Sequence, residues 1–166
     1  VSWSRGLGDV YKRQFIAFDH IFNTPILIVV NKSKSFMEFK WVDTHCHLQL
    51  LNEDFDETDC KNIEFLIIPG VDVKSSLKAK EISSSLDLES YWSAGLHPHD
   101  AKLLNTQRED LKKLFSEADL IGETGLDFYR NLSTKDQQRE SFLFHLEFSK
   151  QLDKPIIIHC LSLIHI

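Results

Sequence analysis

The sequence predicts an α/β fold, a parallel sheet built from strand–helix–strand units. Three observations carry this. Short apolar runs alternate along the chain with longer amphipathic ones. Two of the short runs, Phe65-Leu66-Ile67-Ile68 and Ile156-Ile157-Ile158, are apolar without interruption, as strands covered on both faces are. Gly70, Gly95, Gly122 and Gly125 punctuate the ends of these runs, where strand-to-helix turns are expected.

The first strand is expected over Phe39–Thr44, where Phe39-Lys40-Trp41-Val42 leads into Asp43-Thr44-His45-Cys46-His47. The second, Glu64–Pro69, stops at Gly70, and a helical pattern comes next over Val73–Leu86. Tyr91–Gly95 is the third strand, trailed by a helical pattern over Thr106–Ala118. Leu120–Glu123 is the fourth. In the long pattern Thr134–Leu152, Phe142, Leu143, Leu146 and Leu152 recur near helical spacing. Pro155–His159 is the fifth strand. Consecutive parallel strands of this kind are joined by right-handed crossovers.

The two ends of the chain read as adaptor sequence. Asp9-Val10-Tyr11-Lys12-Arg13-Gln14 can be encoded by GAT GTG TAT AAG AGA CAG, and the reverse complement of that run encodes Leu161-Ser162-Leu163-Ile164-His165-Ile166, the last residues of the chain. Residues 1–14 and 161–166 are therefore set aside as adaptor-derived. Residues 15–36 are expected to be translated upstream sequence, because Met37 is the only methionine and stands where a start would fit. The alternative is an N-terminal strand centred on Thr24–Val30. Residues 37–160 remain, about one domain in length. They end on a strand, so the natural protein is expected to be longer.

Composition excludes several classes. No stretch approaches the ~20 apolar residues of a membrane span. The net charge of -6 gives no general basic footprint for nucleic acid, so a phosphate substrate would have to be held locally, most plausibly by metal. Cys46, Cys60 and Cys160 are odd in number and far apart, which suggests no disulfide framework and favours a cytoplasmic setting.

Chemically capable residues come after nearly every expected strand. His45 and His47 succeed the first and His97 and His99 the third; Glu123 ends the fourth and His159 the fifth. Strand geometry puts His45 and His47 on one face, which makes half of a metal site. Alone, the pair reads equally well as polar residues where a strand meets a loop. In a parallel barrel the reacting groups gather at the C-terminal ends of the strands, and that recurrence is what argues for a site. Each residue also has a plainer role available. Glu123 could cap the next helix or loop, and His159 could be a buried histidine bonded to a carbonyl. Pro98 bends the chain between His97 and His99, which favours a phosphate-contacting role for His97 over a ligand role. His145 reads as structural or exposed, Arg130 as a solvated charge and Cys46 as packing.

Val42-Asp43-Thr44-His45-Cys46-His47-Leu48, Ala94-Gly95-Leu96-His97-Pro98-His99, Ile121-Gly122-Glu123-Thr124-Gly125-Leu126-Asp127-Phe128-Tyr129 and Lys154-Pro155-Ile156-Ile157-Ile158-His159-Cys160 resemble, in order, four motifs of the TatD family of metal-dependent deoxyribonucleases, within the amidohydrolase superfamily. The resemblance implies a TIM (β/α)8 barrel, of which this chain supplies about five of eight parallel strands. It implies a divalent centre, of two ions of magnesium, manganese or zinc, acting on DNA. His45 and His47 would hold one ion, Glu123 would bridge, and His159 would hold the second. His97, Asp127 and Tyr129 would face the substrate. Gln49 departs from the acidic residue or Asn usual in the family. The family adds a further histidine and a catalytic Asp on later strands, so this polypeptide is expected not to be a competent enzyme. Two rivals stand beside this reading. One is a superfamily member cleaving a C–N bond or lactone; such sites commonly use a lysine at the fourth strand, where this chain has Glu123 and no lysine between Leu120 and Tyr129. The other is a non-catalytic metal-binding remnant.

Overall fold

The computed structural model describes residues 15–17, 40–51, 55, 60–130 and 132–161. The elements run β1 (Phe15–Ala17), β2 (Trp41–Asp43), β3 (Ile63–Pro69), α1 (Val73–Ser85), β4 (Ser90–Ala94), α2 (Leu104–Glu117), β5 (Leu120–Asp127), α3 (Lys135–Leu152) and β6 (Ile156–Leu161). The sheet order is β1-β6-β5-β4-β3-β2. Strands β2 to β6 are parallel, each beside its predecessor, and form a curled half-barrel backed by the helices. The strand β1 adds antiparallel to the far side of β6, Phe15 opposite Ile158. The alternative strand at Thr24–Val30 and the segments 1–14 and 162–166 lie outside the described residues.

The helices start where local chemistry tells them to. Asp72 and Ser75 form a capping box at α1, the Asp72 carboxylate accepting from Ser75 N. Thr134 and Gln137 do the same for α3. That helix stops at Asp153, whose φ of 52° breaks the repeat. The next residue, Lys154, then donates its ammonium to the carbonyls of Phe115, Ser116 and Ala118 at the end of α2, where helix geometry supplies no further N–H groups. The core between sheet and helices centres on Ile68, Leu96, Leu111, Phe115, Ile121 and Phe144. Phe115, Phe144 and Phe148 meet there with ring centroids 5.0–5.6 Å apart.

The start of α2 and the end of β5 differ from expectation for physical reasons. The helix α2 begins at Leu104, two residues early, because a 3-10 turn over Pro98–Leu103 runs directly into it. The strand β5 continues past Glu123 to Asp127. Gly122 and Gly125 carry it there at φ +121° and +143°, conformations that side chains resist. Its pairing with β6 shifts register between Ile121 and Thr124, so Gly125 lies against His159. A Cβ at Gly125 would run into the His159 carbonyl oxygen.

Candidate metal centre

The C-terminal ends of the parallel strands bring five histidines and two carboxylates together. His45 and His47 lie just after β2, His97 and His99 open the turn after β4, Glu123 and Asp127 lie on β5, and His159 lies on β6. Glu123 sits between them. Its Oε2 lies 3.3 Å from His45 Nε2 and 3.5 Å from His47 Nε2, and the two imidazole nitrogens are 3.1 Å apart. Its Oε1 lies 2.8 Å from His159 Nδ1 and 4.0 Å from His97 Nε2, which are themselves 3.2 Å apart. Each carboxylate oxygen thus has its own set of imidazoles.

The first triad fits a metal ion closely. Nitrogen and oxygen donors bind zinc at about 2.0–2.2 Å, so neighbouring donors of a tetrahedral ion stand about 3.3–3.6 Å apart. The observed edges, 3.1, 3.3 and 3.5 Å, lie at or just below that spacing. The tautomer agrees as well. His47 Nδ1 lies 3.2 Å from the Pro69 carbonyl, which can only accept, so Nδ1 carries the proton and the Nε2 lone pair is free to ligate. Gln49, the residue that departs from the family pattern, donates its amide to the same carbonyl. At the second set, a carboxylate oxygen and an imidazole nitrogen 2.8 Å apart must share either a proton or a cation. His45 Nδ1 and His159 Nε2 are buried without hydrogen-bond partners among the described residues.

Electrostatics favour positive charge at this point. Glu123 is 1% exposed. Burial pushes its carboxyl up, but the close His159, His45 and His47 rings outweigh this and hold it far below the usual carboxylate range. It is therefore an anion inside the protein. Burial pulls His97 down to about 3, against the pull of Glu123, so that ring is neutral at ordinary pH. Its Nδ1 accepts from His99 N at 3.2 Å, which leaves the proton on Nε2. His97 therefore presents an N–H toward Glu123 and His159 rather than a lone pair.

The remaining candidates separate. Asp127 does not face outward: it is fully buried, and its carboxylate is committed to His99 Nε2 at 2.5 Å and to the backbone N–H groups of Tyr129 and Arg130. Burial pushes that carboxyl up, but the His99 and backbone hydrogen bonds leave it below its usual value. Tyr129 is 78% exposed and open to a ligand. Cys46 donates its thiol to the Ile67 carbonyl, and burial beside Asp43 pushes it up to about 12, so it packs and does not react. His145 is buried on α3, donating Nδ1–H to the Ser141 carbonyl and accepting Leu96 N–H at Nε2. Sequence reasoning missed Gln138, whose amide accepts from Asp127 N and donates to the carbonyls of Asp127 and Ser133. Its only signal was a polar residue on the buried side of an amphipathic helix.

A half-barrel that collects imidazoles and a buried carboxylate at its strand ends has the design of the metal-dependent hydrolases. The family model "TatD related DNase" matches residues 42–163, and the chain belongs to that family of metal-dependent hydrolases. It is 32% identical over 133 residues to the metal-dependent hydrolase YcfH of Escherichia coli K12, covering 71% of this chain and 48% of that protein. It is 34% identical over 99 residues to the 3'-5' ssDNA/RNA exonuclease TatD of the same organism, covering 57% of this chain and 37% of that one. The chain thus spans half or less of the length of these relatives. Among solved structures, the TatD homologue YJJV from Escherichia coli K12 superposes with a TM-score of 0.65 at 22% identity, over 74% of this chain and 51% of that one. A TatD family hydrolase from Entamoeba histolytica gives 0.61 at 18% identity, over 76% and 51%. These likenesses support a partial TIM barrel.

Proposed function

We propose that this chain carries the first half of a nuclease site that hydrolyses DNA phosphodiester bonds with two divalent ions. The observation that carries the proposal is the placement of Glu123, whose two oxygens face two different sets of imidazoles. His45 and His47 with Oε2 would hold one ion, and His159 with Oε1 the other. The imidazole-rich set suits zinc or a similar transition ion better than magnesium. When bound, such ions supply Lewis acidity that offsets phosphate charge and eases deprotonation of water. The protein's own contributions are separate from that. His47 is oriented by the Pro69 carbonyl. His97 offers a fixed N–H donor suited to a phosphate oxygen, and exposed Tyr129 offers a surface on which a base could stack. The relative named as a ssDNA/RNA exonuclease supports a nucleic-acid substrate. Three free cysteines support a reducing, cytoplasmic setting. We also propose that residues 37–160 are the N-terminal part of the barrel domain and that this half-barrel alone turns over DNA poorly.

Metal analysis tests the centre directly. The purified chain should bind two equivalents of zinc, and Glu123→Ala should reduce both affinities, whereas His45→Ala should weaken only one. A chain that binds a single ion, or an E123A variant that keeps two, would rule out the bridging arrangement.

A further inference from the structure

Asp127, expected to face the substrate, is buried and held on every side. Its own backbone is clamped on both sides by the buried Gln138 amide, at 2.8 Å from N and 3.0 Å from O. Its Oδ1 is taken by the backbone N–H groups of Tyr129 and Arg130 at 3.0 and 3.3 Å. That leaves Oδ2, which turns toward two imidazoles: His99 Nε2 at 2.5 Å and His159 Nε2 at 3.5 Å. His159 Nε2 is buried and has no hydrogen bond among the described residues. Its other nitrogen, Nδ1, is the one that meets Glu123.

We infer that Asp127 is a positioning residue: its Oδ2 accepts His159 Nε2–H, which fixes the tautomer that frees His159 Nδ1 for the second ion, and the same oxygen pins His99 beside it. A carboxylate oxygen has room for two donors. A metal-ligating histidine ordinarily donates its other N–H to a carboxylate or carbonyl, and that outer partner governs how well the ligand holds its ion. The orphaned nitrogen and the carboxylate oxygen are the two halves of such a contact, and 3.5 Å is close enough for a small rotation of the ring to complete it. The role explains why Asp127 is buried and why a second element is used to immobilise its backbone. Asp127 thus acts through His159, behind the site.

The inference rests on the proposed second ion at Glu123 and His159, and one set of titrations separates the two. Zinc is titrated into the full chain against a chromophoric chelator, for the native protein, His159→Ala and Asp127→Asn. Asn keeps an oxygen for the Tyr129 and Arg130 N–H groups and replaces the oxygen facing the histidines by an NH2. D127N should keep its circular dichroism and the affinity of the His45/His47 ion, while the second ion weakens about 10–100-fold. If H159A loses the second ion and D127N binds it within about threefold of the native chain, the role of Asp127 is overturned and the metal site stands. If H159A itself keeps both ions, the underlying site is wrong. Should D127N fail to fold, long-range proton–nitrogen spectra of the native zinc-loaded chain decide instead. The His159 ring should carry its proton on Nε2, protected from exchange; a proton on Nδ1 would overturn the inference.

Discussion

His145 shows how much a single ring can hold in place. It bridges α3 to the segment that carries His97, accepting from Leu96 N–H while its other nitrogen donates within the helix. Accepting from Leu96 N–H requires the neutral ring, whereas the Ser141 bond survives protonation, and burial pulls the group down to about 4. Between about 6.5 and 4 the unfolded chain binds a proton at this residue and the folded chain does not, so stability falls as pH falls through that window. A shift of this size corresponds to about 3 kcal/mol at most. Urea denaturation across that window should show the loss, and His145→Gln, which keeps an acceptor for Leu96 N–H but does not titrate, should flatten it. The neighbouring site residues were partly legible from sequence. His45, His47, Glu123 and His159 stood at the ends of expected strands, which made them candidates before the family resemblance gave them roles. The inward turn of Asp127 was not legible, because it depends on Gln138 from another element.

Among the elements, β3, β4, β6, α1 and α3 read correctly to within a few residues, because apolar runs and helical spacing survive in any context. The strand β5 did not. Two glycines in four residues look like a terminus in sequence, yet here they let the strand pass His159 at close quarters and carry Glu123 and Asp127 on one ribbon. Only the partner strand reveals which meaning applies. Gly125→Ala tests the point. Its backbone is at φ +143° and its new methyl would meet the His159 carbonyl, so destabilisation of roughly 2 kcal/mol or more is expected, read by chemical denaturation. Zinc affinity at the second ion should fall with it. The same change at Gly70, just after β3 and without a positive φ, would set its methyl against Ser76 and the Ser93 carbonyl, so its destabilisation reads packing without backbone strain.

At the scale of the whole molecule, charge and topology set the terms. The chain is acidic, at -6, so it has no broad electrostatic attraction for nucleic acid. The proposed substrate must then be captured through the centre itself. Binding of a fluorescent single-stranded oligonucleotide, monitored by anisotropy, should be lost on treatment with chelator and return with zinc; binding indifferent to chelator would point to another surface. Parallel order was legible from the alternation of runs, whereas the edge was not. Trp41 on β2 is 65% exposed, because β2 is paired on one side only among the described residues. The strand-end arrangement also bears on how the chain folds. His159 meets Glu123 across 36 residues and His97 across 62, and every strand between must dock before those pairs exist. No local intermediate can assemble the centre, so loop-closure entropy is met before any ion rewards it. Zinc should accordingly leave the refolding rate almost unchanged and slow unfolding, acting as a latch on the finished structure.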